Sequence, residues 1–347
     1  MADDTLSAPL AVDLAFNGGP EKIGEVAREI EAREDAGVHG LFVSEARHDP
    51  FVSLTLAATT TERLQLGTAI ALAFARTPMS MAYTAYDLHR VSGGRLVLGL
   101  GSQIKAHITR RYDMPWSQPA ERMKDYVSAM RAIWHSWQTG EALDYRGEFY
   151  THTLMPPLFS PGPLGFPSPE IWVAAVGPRM VEASAMVADG MICHPLISQS
   201  YLSEVIAPQV HAARATSDRR DDPFTFSAMG MVATGRDEES LADAVAATRR
   251  QIGFYASTPA YRGMLEHHGW GALHPEAHLL SRQNRWDELP GLIDDDILDT
   301  FAVVGEPAVA GRLLRERFSG LVERVTVSMP HHIDGGLALD MLAASAD

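Results

Sequence analysis

Four short apolar runs alternate with segments of helical periodicity through the first hundred residues, and this alternation limits the fold more than any other feature of the chain. The runs are 11–16, 40–44, 64–71 and 95–100. Asn17, Gly18, Gly19 and Pro20 end the first run, and Ile23, Val26, Ala27 and Ile30 then recur at helical spacing up to a stop at Gly37. Pro50 opens a second helical segment through Leu54, Ala57 and Ala58. Pro78 opens a third, with Met81, Ala85 and Leu88 on one face and Gly93-Gly94 as its break. Strands this apolar, separated by amphipathic helices, are buried on both faces and run parallel. Such βα units build either a closed barrel or a doubly wound open sheet, and the pattern alone does not separate the two.

The rest of the chain is less regular. A long helix is predicted from about Pro119 to Trp137, followed by a hairpin around Tyr145, Arg146, Gly147 and Glu148. Residues 155–169 hold six prolines, so they can form neither a helix nor a central strand and read as an excursion over the surface. Alternation resumes with strands at 171–175 and 190–194 around a helix from Pro178, and further strands are predicted at 224–232 and 325–328. Residues 250–300, rich in His, Trp and Asp, read as an insertion. With 347 residues and no internal repeat, the chain is expected to be a single embellished domain over 1–347.

Composition excludes several classes. The single cysteine, Cys193, rules out an intramolecular disulfide and a cysteine-based zinc site. A net charge of −15 argues against a nucleic-acid partner, which needs clustered cations. The acidic start, Met1 to Thr5, lacks the features of a secretory signal, and the most apolar run, 69–75, is far shorter than the roughly 20 residues of a membrane-spanning helix. A cytoplasmic protein with no membrane partner is the expectation.

Candidate chemistry lies just after the strands. Val176, Gly177, Pro178, Arg179 and Met180 follow an apolar run and open a helix, where free backbone N–H groups and the helix dipole can seat a phosphate; an ordinary strand-to-helix turn has the same spacing. Gly99 to Gln103 begins like a dinucleotide fingerprint, but Ile104 stands where its third glycine belongs, so Gly101, Ser102 and Gln103 instead suit a close approach to a flat ligand. Glu45 and His48 follow the second run and are candidates for acid/base work, against the alternative of a loop salt bridge. His107, with Arg110 and Arg111, follows the fourth run; the arginines suit an anion or form a plain surface pair. His194 is a pocket candidate, and Tyr255 and Tyr261 could line a lid or belong to a packed surface helix. The adjacent pairs His267-His268 and His331-His332 lack metal-ligand spacing, so no metal is expected. Neither Gly-x-Ser-x-Gly nor a P-loop occurs.

Three stretches carry a family resemblance: Leu66 to Ile70, Ala75 to Pro78, and Leu88 to Gly101 with its Ser92-Gly93-Gly94-Arg95 turn. Ala174 to Arg179, followed by Ala188, Asp189 and Gly190, adds a fourth. Together they make the chain similar to the bacterial luciferase-like monooxygenase superfamily. The resemblance covers most of residues 10–330 and implies an α/β fold, a (β/α)8 TIM-like barrel with its cofactor at the C-terminal strand ends. It implies Asp13, Ala69 and Ile70 as further cofactor-site residues, with a non-prolyl cis peptide at Ala69–Ile70 backing the cofactor ring. It also implies a homodimer. Arg76-Thr77-Pro78 and the 101–105 stretch resemble the branch that uses the deazaflavin coenzyme F420, which implies hydride transfer to or from a small organic substrate. FMN, in a monooxygenase of the same fold, is the alternative, and a non-catalytic cofactor-binding barrel is a second. Ala46 stands where many members of the superfamily carry histidine.

Overall fold

The computed structural model describes residues 10–16, 23–331 and 335–343. The segment 1–9, the turn at 17–20 and His332 lie outside the described residues. Eight parallel strands close into a barrel, which decides between the two architectures left open above. In chain order the strands are β1 (Ala11–Phe16), β2 (Gly40–Val43), β3 (Gln65–Thr68), β4 (Ala71–Leu72), β5 (Leu96–Gly101), a hairpin pair β6 (Tyr145–Arg146) and β7 (Thr151–His152), then β8 (Glu170–Ala175), β9 (Gly190–Cys193), β10 (Thr225–Thr234), β11 (Ala302–Gly305) and β12 (Arg324–Ser328). The ring runs β1, β2, β3 with its continuation β4, β5, β8, β9, β10 and β12, and β12 pairs back onto β1. The remaining short strand, β11, pairs Met231 to Thr234 at the far end of β10.

Outside the ring lie α1 (Ile23–Asp35), α2 (Pro50–Thr60), α3 (Pro78–Val91), α4 (Lys105–Arg111), α5 (Pro119–Thr139) and α6 (Pro178–Val187). Their starts follow the sequence logic. Asp49 caps α2 by accepting from Phe51 N–H, Thr77 caps α3 by accepting from Ser80 N–H, and each has proline at the first helical position. The proline-rich 155–169 segment crosses α3 on the outside, where Tyr86 Oη donates to Gly162 O and Arg90 to Pro161 O. The 250–300 region is almost wholly helical: the helix Glu238–Ala256 runs into it, and Arg262–His267, Leu273–Arg282 and Asp295–Phe301 follow. This crossover delivers β11, a strand the sequence pattern does not reveal because its four residues follow directly on the helix Asp295–Phe301.

Two layers fill the barrel below its mouth. At the N-terminal end, Arg324 donates to both carboxylate oxygens of fully buried Asp13, at 2.9 and 2.5 Å, and also to Gln65. Burial pushes the Asp13 carboxyl above the ordinary carboxylate range, and the Arg324 guanidinium opposes that push. Above this polar plug, Phe42 stacks on Trp172 at 5.8 Å and 20°, and the guanidinium of Arg324 covers both rings. Val97 and Ile192 complete the apolar layer. Gly67 admits it: a Cβ there would sit 2.3 Å from the Phe42 ring. Asp13, expected at the cofactor, thus lies in the closed floor of the barrel with both carboxylate oxygens taken by Arg324.

Candidate active site

At the C-terminal ends of the strands the packing changes character. The large inward residues of the middle layer give way to small ones, and Ser44, Ala69 and Ala174 become partly accessible while their outward neighbours stay buried. A closed β/α barrel presents its ligand site at this end.

One wall of the mouth is an irregularity in the third strand. β3 pairs Gly67 with Val97, and β4 resumes with Ala71 opposite Leu100, so residues 68, 69 and 70 face only residues 98 and 99. This one-residue bulge contains the cis Ala69–Ile70 peptide. Three contacts hold it. Ala69 N–H donates to Val43 O at 2.9 Å, Glu45 N–H donates to Ile70 O at 3.0 Å, and Thr68 Oγ1 donates to Gly99 O at 2.7 Å. The Ile70 side chain lies over Gly101, where a Cβ would come within 2.0 Å of Ile70 Cδ1. A side chain at residue 101 would push the Ile70 side chain aside.

Glu45 fixes the same wall from the other side. Its Oε2 accepts from Leu72 N–H at 2.9 Å and from Arg76 at 2.6 Å, and Arg76 reaches on to Asp49 at 2.8 Å. Burial lowers the pKa of Arg76, but its bonds to Glu45 and Asp49 outweigh burial and leave it above the ordinary value. The loop salt bridge weighed for Glu45 is thus present, and the carboxylate positions the bulge. His48 lies partly buried on the same loop. On the neighbouring strand end, after β5, Gln103 takes a left-handed conformation (φ 59°) and Ser102 Oγ donates to its carbonyl at 3.2 Å. His107 is half-buried on α4, with Nδ1 enclosed and unpartnered among the described residues. Arg110 and Arg111 are exposed on that helix, and Arg111 stacks on Tyr112.

The next wall is a helix start. Gly177 is the extended N-cap of α6 and Pro178, which has no N–H, its first residue; Met180 and Val181 N–H both donate to Gly177 O at 3.0 Å, so the first backbone N–H of α6 without a helical partner is that of Arg179. These residues, with the half-buried Val176 preceding them, border a cavity of about 450 Å³. Its opposite side is the start of α5, Gln118 to Glu121, which sequence reasoning missed. The available signal was Pro119, which opens α5 as Pro178 opens α6. Two helix N-termini facing one cavity favour an anion there.

His194, Tyr255 and Tyr261 come together, although about sixty residues of chain separate the histidine from the tyrosines. The His194 ring stacks on Tyr261 at 4.1 Å and meets Tyr255 edge-on at 4.5 Å. Burial holds the imidazole pKa down to about 3 and raises both phenols, that of Tyr255 to about 12. The adjacent His267 and His268 meet edge-on at 5.0 Å; His268 Nε2 bonds Ser198 Oγ and His267 Nε2 bonds Ser200 Oγ, joining the end of the Arg262–His267 helix to the segment after β9. Among the described residues no group of three or more His, Cys, Asp or Glu could hold a metal ion, and no helix is long and apolar enough to cross a membrane.

Against known proteins, residues 7–324 match the model of the luciferase-like monooxygenase family. The chain belongs to that family. An uncharacterized protein of Mycobacterium tuberculosis is 50% identical over 306 residues, covering 88% of this chain and 90% of that protein. The phthiodiolone/phenolphthiodiolone dimycocerosates ketoreductase of the same species is 30% identical over 223 residues, 63% of this chain and 57% of the enzyme. Among solved structures, the coenzyme F420 dependent tetrahydromethanopterin reductase of Methanopyrus kandleri superposes with a TM-score of 0.78 at 19% identity over 97% of this chain and 98% of that one. An F420-dependent secondary alcohol dehydrogenase, in complex with an F420-acetone adduct, gives 0.71 at 15% identity over 98% and 100%. The FMN-bound 3,6-diketocamphane monooxygenase of Pseudomonas putida gives 0.64 at 17% over 96% of each. At these identities the structures attest the barrel fold alone.

Proposed function

We propose that the protein moves a hydride between the deazaflavin coenzyme F420 and a small organic substrate at the barrel mouth. The observation that carries this reading is the combination of a flat, small-residue wall, built by the Ala69–Ile70 bulge over Gly101, with the cavity between two helix starts at Gly177–Met180. A tricyclic ring needs the first and its phosphate the second. When bound, the deazaflavin supplies a ring carbon that gives or takes hydride. The protein's part is to fix the ring face through the bulge and Ser102–Gln103, to hold the phosphate at the start of α6 on the Arg179 N–H and the helix dipole, and to keep Glu45 and Arg76 locked behind the wall. His48 and His107 stand on the adjoining loops as proton carriers for the reaction. The F420-dependent enzymes among the structural neighbours and the ketoreductase among the relatives support this reading. A cytoplasmic homodimer belongs to the same proposal. FMN would suit the same wall and cavity in a monooxygenase, and oxygen uptake with reduced FMN separates the two.

Gly177→Asp tests the phosphate seat. Gly177 has φ −80°, and a Cβ there meets nothing within 4 Å, so the fold accepts a side chain at this position. A carboxylate beside the phosphate should weaken F420 binding at least tenfold, while Gly177→Ala leaves it within twofold. Unchanged affinity in Gly177→Asp would remove the phosphate from this site.

A further inference from the structure

We infer that His194 is the hydrogen-bond donor of a substrate subsite for uncharged carbonyl compounds, walled by Tyr255 and Tyr261. The inference rests on the reading that the mouth holds a hydride-carrying ring, but its geometry is independent of the phosphate seat. His194 follows β9 directly and, two residues beyond inward-facing Ile192, is directed to the barrel interior. Its Nδ1 accepts from Leu196 N–H at 3.1 Å, which places the ring proton on Nε2. Nε2 has no partner among the described residues and is not among their enclosed, unsatisfied atoms, so it keeps some accessible surface and a free donor. The stack on Tyr261 and the edge contact with Tyr255 fix the plane of the ring, so the direction of the Nε2–H bond is set before a substrate arrives.

The chemistry of the subsite follows from what is not charged around it. The depression of the His194 pKa comes from burial alone, with no ionised neighbour contributing. The Tyr261 phenol responds to burial and to Tyr255, and the Tyr255 phenol to burial and Gln251. Among the described residues no ionised group bears on the His194 ring, so none there offers a counter-charge to a carboxylate, a phosphate or an ammonium. What the trio offers is aromatic surface and a neutral N–H that stays a donor across physiological pH. An imidazole held neutral beside a reacting carbonyl polarises the oxygen without carrying charge. As hydride adds to the carbonyl carbon with its electron pair from the reduced deazaflavin, the C=O π pair passes to oxygen. Nε2–H holds that oxygen, and a proton passed from His48 or His107 gives the alcohol and the oxidised coenzyme.

The test uses protein labelled with 15N at histidine and loaded with oxidised F420, titrated with acetone, cyclohexanone and acetophenone against benzoate. The His194 Nε2–H signal, assigned by its loss in His194→Gln, should move with at least one ketone and stay in place with benzoate. Ketone-driven reoxidation of reduced F420 should fall at least tenfold in His194→Phe and recover to within threefold of wild type in His194→Gln, whose amide N–H replaces the donor. F420 fluorescence quenching should be the same in all three proteins. Benzoate moving the signal as far as a ketone, no ketone moving it, or His194→Phe matching wild type would overturn the inference. If F420 fails to bind, the ketone titration of the cofactor-free protein still reads the donor, so the two readings fail separately.

Discussion

Replacing Asp13 by asparagine keeps the size and shape of the side chain and removes the charge opposite Arg324. In the folded protein Asp13 is fully buried and accepts from Arg324 at 2.5 and 2.9 Å, and Arg324 is itself only 7% exposed. The variant thus leaves a guanidinium beneath the Phe42–Trp172 pair with one neutral amide oxygen at position 13 and Gln65 in place of the carboxylate. Breaking one half of a buried pair costs about 3–5 kcal/mol. For a chain of 347 residues the unfolding entropy is about 0.7 kcal/mol per degree, so the melting temperature should drop by roughly 4–7 °C. The assay is calorimetry on the cofactor-free protein, because bound ligand would add its own stabilisation. F420 affinity, measured well below the transition, should be unchanged, since the plug lies at the opposite end of the barrel from the bulge. A variant that melts with wild type, or that folds normally yet loses F420, would refute the assignment of Asp13 to the floor.

Other outcomes follow from the same geometry. Glu45→Ala removes the acceptor for Leu72 N–H and Arg76; with Arg76 keeping Asp49, stability should fall by only about 1–3 kcal/mol in urea unfolding, but F420 binding should weaken at least tenfold because the bulge loses its support. Burial holds the His194 pKa at about 3, well below the unfolded value near 6.5. The neutral ring is thus the form the fold favours: its contribution is complete above about pH 6.5 and is lost as pH falls toward 3, by at most about 5 kcal/mol. Urea midpoints of wild type and His194→Gln should therefore converge or cross between pH 6.5 and 4, and parallel curves would contradict the buried neutral ring.

The sequence periodicity located the ring strands through β10, and β12, because burial on both faces writes itself into consecutive residues. It did not reveal β11, four residues long and paired only at the end of β10. The resemblance to luciferase-like proteins placed the cis peptide at Ala69–Ile70, where the structure has it. Side-chain partnerships were a different matter. Asp13 and Arg324 are 311 residues apart and Glu45 and Arg76 are 31 apart, and no local pattern marks either pair. The resemblance offered Asp13 as a cofactor-site residue, and its pairing with Arg324 across the barrel floor leaves no trace in the local sequence. The gathering of His194 with Tyr255 and Tyr261 depends likewise on how the 235–301 crossover folds back over β9.

The most direct test of the central claim is a parallel fluorescence titration of the purified protein with oxidised F420 and with FMN. The account predicts micromolar F420 binding, FMN binding at least tenfold weaker, and loss of the F420 signal in Gly177→Asp. Preference for FMN would move the chemistry to oxygen activation on the same barrel, and binding of neither would contradict the assignment of the bulge and the α6 start as a cofactor site.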